Sequence, residues 1–283
     1  MTTENPTLIP ETTPPLTTGA PRLRPRGSGR LAALEPTLLP LASFAILIAL
    51  WEIASRAGLI SAFFFSSPTG VMEAAAENIV LPEFWNDVWI STQEFMVGYI
   101  AAIALAIPFG LLTGWFRSLH FLFEPWLAAF NSTPRLALLP LVVLWVGLGF
   151  WSKAVIVFLG VFFPVVVNCM AGVRGIPTVY VDVAKNYGAS TLQYLRFVAM
   201  PGALPLILSG LRIGLAQGII LVAVAELVGA REGLGYMIQH AWELQSVRTM
   251  YVALFTIGAI GIVSSLVLRE LEQKLVAWKS RDE

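Results

Sequence analysis

Cysteine and histidine are scarce in this 283-residue sequence, which contains one cysteine, Cys169, and two histidines, His120 and His240. One thiol excludes an intrachain disulfide framework and a zinc site built from several thiolates. Charged residues make up only 13% of the chain, about half of the roughly 25% that is usual in soluble domains. The 18 basic and 18 acidic residues balance. We therefore expect no metal site and no nucleic-acid partner.

A nucleotide-binding motif is also missing. The sequence contains no G-x-x-x-x-G-K-[ST] segment, the loop whose backbone amides surround the phosphates of ATP. If ATP drives this protein, a partner must bind the nucleotide. We therefore expect that the chain binds no cofactor and carries no catalytic residues of its own.

Apolar residues, by contrast, are abundant. They make up 57% of the sequence, and the mean hydropathy is +0.74, which is typical of a membrane protein with several spans. A helix needs about 20 apolar residues to cross the hydrocarbon core. The pattern predicts an all-α protein with about six transmembrane helices, at 37–53, 92–116, 119–148, 154–173, a fifth ending near 225, and 251–268. The third segment is too long for one straight span, and residues 131–135 interrupt it with the sequence NSTPR.

Three parts follow from this pattern. Residues 1–36 are rich in Pro, Thr and Ser and contain no apolar run; such a segment buries too little surface to fold, so we predict a disordered cytoplasmic tail. Residues 37–270 form the transmembrane domain, and residues 271–283 form a second cytoplasmic tail. Within the domain, the polar segment 67–79 is predicted to be a helix at the outer membrane interface or beyond it.

Basic residues are distributed unevenly between the two sides that six crossings define. By the positive-inside rule the side with more of them is cytoplasmic, which places both termini in the cytoplasm. The richer side comprises Arg22, Arg24, Arg26, Arg30, Arg117, Arg174, Lys185, Arg196, Lys274, Lys279 and Arg281, and the other side Arg56, Lys153, Arg231 and Arg248.

The polar loop at 178–201, between the fourth and fifth spans, has the spacing of a helix. Tyr180, Val183, Ala184 and Tyr187 recur at i, i+3, i+4 and i+7. This spacing puts them on one face of a helix of two to three turns. The face either packs on the protein's own spans or docks on a soluble partner.

Turn and cap residues follow that face. Gly188 stands where a helix can end in a left-handed residue, and Ser190 to Gln193 matches the capping box that starts a second helix. Pro201 and Pro205 restrict how this second helix enters the membrane. The loop is thus predicted to be a helix, a sharp glycine turn and another helix.

Polar side chains within the spans are candidates for a translocation pathway, because burying them in lipid is costly. Arg135 either attracts an anion along that pathway or extends to a membrane interface. Arg212 either lines the pathway or pairs with an acid near the cytoplasmic surface. Gln217 and Asn131 either line it or hydrogen-bond between helices, and Glu226 either gates the outer end or caps its span.

The loop also matches a known pattern. Permease subunits of ABC importers carry a cytoplasmic "EAA" loop of the form E-A-A, three residues, G, nine residues, I-x-L-P. Here Asp182-Val183-Ala184 precede Gly188 by that spacing, and Val198-Ala199-Met200-Pro201 follow nine residues later. Over roughly residues 41–271, with segments such as MPGALPLILSGLRIGLA and AELVGAREGLGYMIQ, the chain resembles the nitrate, sulfonate, taurine and bicarbonate importer permeases.

This resemblance implies a type I ABC importer (MetI-like) permease fold with a cytoplasmic coupling helix. In that family the coupling helix sits in a cleft of the ATP-hydrolysing subunit and transmits its closure to the membrane helices. The resemblance assigns this role to the matching positions Tyr180, Asp182, Val183, Ala184, Tyr187, Gly188 and Pro201.

The resemblance also implies partners, a location and a cargo. The partners are two copies of an ABC ATPase, which bind ATP and Mg, a second copy of this permease in a homodimer, and a periplasmic or lipid-anchored substrate-binding protein. The location is the bacterial inner membrane, with lipid around the spans. The cargo is a small anion of the sulfonate or taurine, nitrate, or bicarbonate class.

Two other functions are open to a chain of this composition. An ATP-independent secondary transporter or channel would need its own ion or proton relay, and Asp and Glu are nearly absent from the predicted span centres. An intramembrane enzyme would need a nucleophile with a base, or metal ligands, at membrane depth, and both histidines lie outside those centres. The importer permease is therefore the favoured interpretation.

Overall fold

The computed structural model describes residues 30–276, and within these residues all regular structure is helical. Between the long helices lie several short ones, including a 3-10 turn (Arg135–Leu138) and a π-helical turn (Leu195–Ala199). The α-helices are α1 (Arg30–Arg56), α2 (Ala62–Phe65), α3 (Pro68–Ile79), α4 (Pro82–Trp115), α5 (Arg117–Ser132), α6 (Leu139–Val146), α7 (Phe150–Arg174), α8 (Thr178–Asn186), α9 (Thr191–Tyr194), α10 (Met200–Leu227), α11 (Leu234–Glu243) and α12 (Val247–Leu275).

The prediction of an all-α protein with about six spans is confirmed. Five helical segments are long and apolar enough to cross a membrane, namely Leu38–Arg56, α4, α7, the continuous run Thr191–Leu227, and α12. The sixth candidate is the pair Arg117–Ser132 and Arg135–Val146, which is bent by 91° at the predicted interruption. The described residues up to Leu50 form a compact unit of their own, and the second unit begins at Trp51.

Several boundaries differ from the sequence prediction. The first helix already begins at Arg30, inside the predicted tail, and the last ends at Leu275, five residues beyond the predicted domain end. α4 begins at Pro82 rather than near 92, because proline suits the first helical turn and the helix continues through polar residues that a hydropathy window excludes. The remaining parts of the two predicted tails, 1–29 and 277–283, lie outside the described residues.

Close packing of α7 against α4 and α10 forms the centre of the second unit. Glycines allow this approach: a Cβ on Gly110 of α4 would lie 2.6 Å from the Cβ of Cys169, and one on Gly214 of α10 would lie 2.9 Å from Cγ1 of Val161. Small residues at helix interfaces are the usual means by which membrane helices pack, because lipid supplies no hydrophobic drive for their association.

The spans have two distinct ends. We call the end that carries α8 the loop end and the opposite end the far end. At the far end, α3 and α11 lie over the first turns of α4 and α12, where Val71, Phe84, Leu234 and Val252 pack together. The predicted helix at 67–79 is confirmed as α3, with the Ser67 hydroxyl accepting from Gly70 N at 3.1 Å.

We expect the substitution Gly110→Ala to lower the thermal stability of the purified protein in detergent. The added methyl group would overlap the Cys169 side chain, and overpacking of this kind costs about 1–3 kcal/mol. Thermal unfolding followed by circular dichroism measures the effect. The matched control is Gly258→Ala in α12, where a Cβ meets nothing within 4 Å. Equal melting temperatures for the two variants would contradict the packing described here.

Candidate functional site

The polar loop at the loop end folds as the sequence predicts, into a helix, a glycine turn and a second helix. α8 ends in paired bonds from Gly188 N to the Lys185 carbonyl and from Ala189 N to the Ala184 carbonyl, both 2.9 Å. Gly188 has φ +70°, the left-handed conformation that this type of helix end requires. The capping box is also present: the Ser190 hydroxyl accepts from Gln193 N, and the Gln193 side chain accepts from Ser190 N.

The two faces of α8 differ in what they contact. Val181 and Ala184 pack against the buried cluster that Cys169 and Val173 help to form. On the other face Tyr180, Val183 and Tyr187 are exposed, Tyr187 to 88%. Ala184, which the spacing grouped with these three residues, thus lies on the inward side, while Asp182 is exposed. The coupling role assigned to these residues stays a prediction.

The second helix of the loop runs into the membrane without a break. Residues Thr191–Leu227 form one continuous helix of 37 residues, about 55 Å long at 1.5 Å per residue. Pro201 has no N–H to donate to the carbonyl four residues earlier, and the helix passes this point by a π-helical turn in which Met200 N donates to the Leu195 carbonyl. Tyr194 is buried against Trp115, with ring centroids 3.9 Å apart, which anchors the turn.

Three of the five residues predicted for the pathway meet in one polar cluster, formed by Asn131, Arg135 and Gln217. Arg135 Nη1 donates to Gln217 Oε1 at 2.9 Å. Its Nη2 donates to Asn131 Oδ1 at 2.7 Å and to the Asn131 carbonyl at 3.1 Å. The bond between Arg135 and Gln217 joins two residues that are 82 positions apart in the chain.

The cluster exists because the helix is broken. α5 ends at Ser132 ahead of Pro134, so the carbonyls of its last turn lose their helical partners. The guanidinium of Arg135 supplies a donor and a positive charge at this helix C-terminus, where a cation is favourable.

Gln217 lies ten residues from the end of α10, about 15 Å along its axis, which is about half of the ~30 Å hydrocarbon thickness.

The other two candidates lie away from the polar cluster. Arg212, toward the loop end, is exposed and pairs with Glu272 of α12, in line with its interpretation as the partner of an acid. Glu226 is buried near the far end, about 13 Å from Gln217 along α10, and its Oε2 accepts from Gly235 N at 2.6 Å.

Sequence reasoning missed a buried polar group around Glu226. Asp87, Ser91 and Glu94 project from α4 toward this region, and Lys153 Nζ lies 3.9 Å from Glu94 Oε1. The three α4 residues are spaced i, i+4 and i+7, the repeat of one helix face. That signal was available in the sequence, but it straddles the predicted start of the second span.

Comparison with known proteins gives concordant matches. Residues 106–277 match the family described as binding-protein-dependent transport system inner membrane components. The taurine transport system permease protein TauC of Escherichia coli (strain K12) is 34% identical over 245 residues, which cover 85% of this chain and 89% of TauC. The putative aliphatic sulfonates transport permease protein SsuC of Bacillus subtilis (strain 168) is 30% identical over 254 residues, 90% of this chain and 91% of SsuC.

A solved structure shares the fold. The MetNI methionine ABC transporter, in an inward-facing conformation, matches with a TM-score of 0.60 and 21% identity, over 69% of this chain and 98% of that one. The predicted MetI-like permease fold is therefore confirmed.

We expect Arg135 and Gln217 to be energetically coupled across the two helices. In a double-mutant cycle of Arg135→Met and Gln217→Leu, measured by unfolding in detergent, the coupling should be about 0.5–2 kcal/mol, the range for hydrogen bonds between membrane helices. The matched control replaces Gln217→Leu with Asn168→Ala, because the Asn168 amide donates to Pro164 of its own helix. If the coupling free energy between Arg135 and Gln217 is as small as that of the control pair, the hydrogen bond between their side chains does not form.

Proposed function

Because this chain belongs to the family of binding-protein-dependent transport system inner membrane components, we propose that it moves a small organic anion of the sulfonate class under the control of an ATPase docked on α8. The chain is the membrane permease subunit of an ABC importer, a multi-pass protein of the inner membrane. Its family implies an ATPase and a substrate-binding protein as partners.

The loop end faces the cytoplasm in this proposal. The positive-inside rule counts cations next to the spans, and the loop end carries most of them. The far end carries only four, namely Arg56, Lys153, Arg231 and Arg248. The same orientation puts the N- and C-termini in the cytoplasm.

The observation that carries the proposal is the exposed apolar face of α8. Tyr180, Val183 and Tyr187 project from a short helix whose other side is already packed on the chain. Exposed aromatic and aliphatic side chains grouped on one helix face are typical of a helix that docks in a groove of a partner. We infer that the ATPase supplies this groove and binds the ATP and Mg, with two ATPases serving a homodimer of this chain.

Coupling then needs a stiff connection from the docked helix to the membrane. α8 closes with two backbone bonds, donated by Gly188 and Ala189, and the capping box at Ser190 starts the helix Thr191–Leu227 directly afterwards. Closure of the ATPases would move α8 as a unit and, through this turn, tilt the long helix. This is a rigid-body transition between inward- and outward-open states.

The cargo is inferred from Arg135 and from the relatives. TauC is a permease for taurine transport and SsuC is a putative permease for aliphatic sulfonates, and both ligand classes carry a sulfonate anion. Arg135 places a half-buried cation near mid-membrane, at the break between α5 and α6. The planar, permanently charged guanidinium suits an oxyanion.

The substitution Gly188→Val is expected to uncouple ATP hydrolysis from transport. At φ +70° a β-branched residue costs about 1–2 kcal/mol, so the turn between α8 and the long helix should open while the chain still inserts. Uptake of radiolabelled taurine by proteoliposomes that contain the complete transporter should fall about tenfold, with ATP hydrolysis continuing.

The control for this experiment is Gly188→Asn, because asparagine tolerates the left-handed conformation. Since a Cβ at this position meets nothing within 4 Å, the two variants differ in backbone strain rather than in fit. Asn should retain most uptake. Wild-type uptake by the Val variant would refute the coupling role of the turn.

Arg135→Gln should lower taurine uptake by about tenfold or more, because a hydrogen bond to a charged group contributes about 1.5–3 kcal/mol. Arg135→Lys keeps the charge and should retain an intermediate rate. Gln217→Leu removes the bond at 2.9 Å but not the cation, and we expect it to lose less. Arg248→Gln, an exposed far-end cation, serves as the control. If Gln217→Leu lowers uptake as much as Arg135→Gln does, the cluster has only a structural role.

A further inference from the structure

The first turn of α11 is held by side chains from two other helices. Three consecutive backbone N–H groups, at residues 233–235, donate to Asp87 Oδ1 at 2.7 Å, to Ser91 Oγ at 2.8 Å and to Glu226 Oε2 at 2.6 Å. Asp87 and Ser91 belong to α4, and Glu226 belongs to α10. We call these three bonds the far-end cap.

The far-end cap replaces the hydrogen bonds that the first turn of a helix usually receives from its own N-cap side chain. The first N–H groups of a helix have no partner within it, and the residue before α11 is Gly233, which has no side chain to offer. Glycine is also required there by space: a Cβ on Gly233 would lie 2.7 Å from Cδ of Glu226, and one on Gly235 would lie 2.6 Å from its Cβ. The loop is therefore shaped around the Glu226 carboxylate.

The position of Glu226 connects this cap to the opposite side of the membrane. Glu226 is the penultimate residue of the continuous helix that starts at Thr191, directly after the capping box of the loop. A movement of the loop at one end of this helix must therefore displace one anchor of α11 at the other end. Asp87 and Ser91 provide the second anchor, on α4.

α11 passes such a displacement to the whole far end. Leu234 and Met237 on its inner side pack with Val71 of α3 and Val252 of α12. α3 is itself tied to the C-terminal end of α1 by a carboxylate, because Glu52 accepts from Thr69 N at 3.1 Å and from the Thr69 hydroxyl at 2.9 Å. The far-end helices are thus attached to the spans through hydrogen bonds as well as apolar packing.

We propose that Asp87, Ser91 and Glu226 are positioning residues that transmit motion between the coupling loop and the far-end surface on which the substrate-binding protein docks. This inference rests on the proposed function and extends it to the opposite face of the membrane. Arrival of the binding protein moves α11, the far-end cap passes this movement to α4 and α10, and the long helix carries it to α8. The cap therefore determines how strongly the binding protein stimulates ATP hydrolysis.

The test measures the ratio of ATPase activity with and without the loaded binding protein, using the complete transporter in nanodiscs and taurine as the substrate probe. Ser91→Ala removes one acceptor of the cap and should lower this ratio about fivefold, the factor for about 1 kcal/mol from one hydrogen bond. Basal ATPase activity and melting temperature should change little. Thr92→Ala is the matched control, since the neighbouring hydroxyl bonds only to Val88 of its own helix.

A second pair of variants separates the cap from general destabilisation. Asp87→Asn retains an acceptor for Gly233 N and should keep the ratio near the wild-type value, whereas Asp87→Ala should lower it as Ser91→Ala does. Hydrogen exchange of the amides at 233–235 should be faster in the two alanine variants, which shows that the cap has opened.

The outcomes distinguish the two proposals. Faster exchange at 233–235 together with an unchanged stimulation ratio would overturn the far-end cap as a transmitting element and leave the proposed function intact. A wild-type complex that hydrolyses ATP without any response to the binding protein would overturn both.

Discussion

The need to satisfy every backbone N–H and C=O within a membrane underlies the other features of this structure. No water in the hydrocarbon core can replace a missing helical hydrogen bond, so each helix end at or near the membrane needs a partner. Arg135 donates to a carbonyl at the end of α5, Glu226 of the far-end cap accepts from an N–H in the first turn of α11, and Glu52 accepts from an N–H in the first turn of α3. Each partner is a charged side chain from a different segment or a later turn, so satisfying the backbone also places charge at defined points of the fold.

The same constraint explains why one helix is long and uninterrupted while its neighbour is bent. The helix Thr191–Leu227 contains Pro201 and Pro205, and it absorbs the first through a π-helical turn instead of breaking. Close packing against α7 at Gly210 and Gly214 holds it laterally along the glycine face. A continuous helix held in this way transmits displacement along its length. The bent pair of α5 and α6 has no such continuity, and its break is instead the place where polar atoms become available inside the membrane.

Local features of this fold were predictable from the sequence, whereas long-range ones were not. The helix and glycine turn at 178–188, the capping box at Ser190 and the interruption at 131–135 each depend on residues within about ten positions of one another. Each appears as predicted, except that Ala184 lies on the inward side of α8 and not on the face of Tyr180, Val183 and Tyr187. The hydropathy windows located the spans but missed the polar start of α4 and the short helix α11. The contacts between Arg135 and Gln217, and between Asp87 or Ser91 and the start of α11, join residues 82 to 146 positions apart. Such pairings depend on which helices pack together, and no periodicity in one sequence encodes that.

The polar cluster also bears on a choice that the sequence left open. From the sequence alone, Arg135 was expected either to attract an anion along the pathway or to extend to a membrane interface, and the two roles were treated as alternatives. A guanidinium has five N–H donors, and the fold uses three of them, on Gln217 and Asn131. Because the bonds that repair the broken helix also fix the plane of the guanidinium, the structural role orients the cation that we propose to attract an anion. The observed structural role and the proposed pathway role are therefore compatible, because the same hydrogen bonds that hold the helix break together leave the charge of Arg135 at that break.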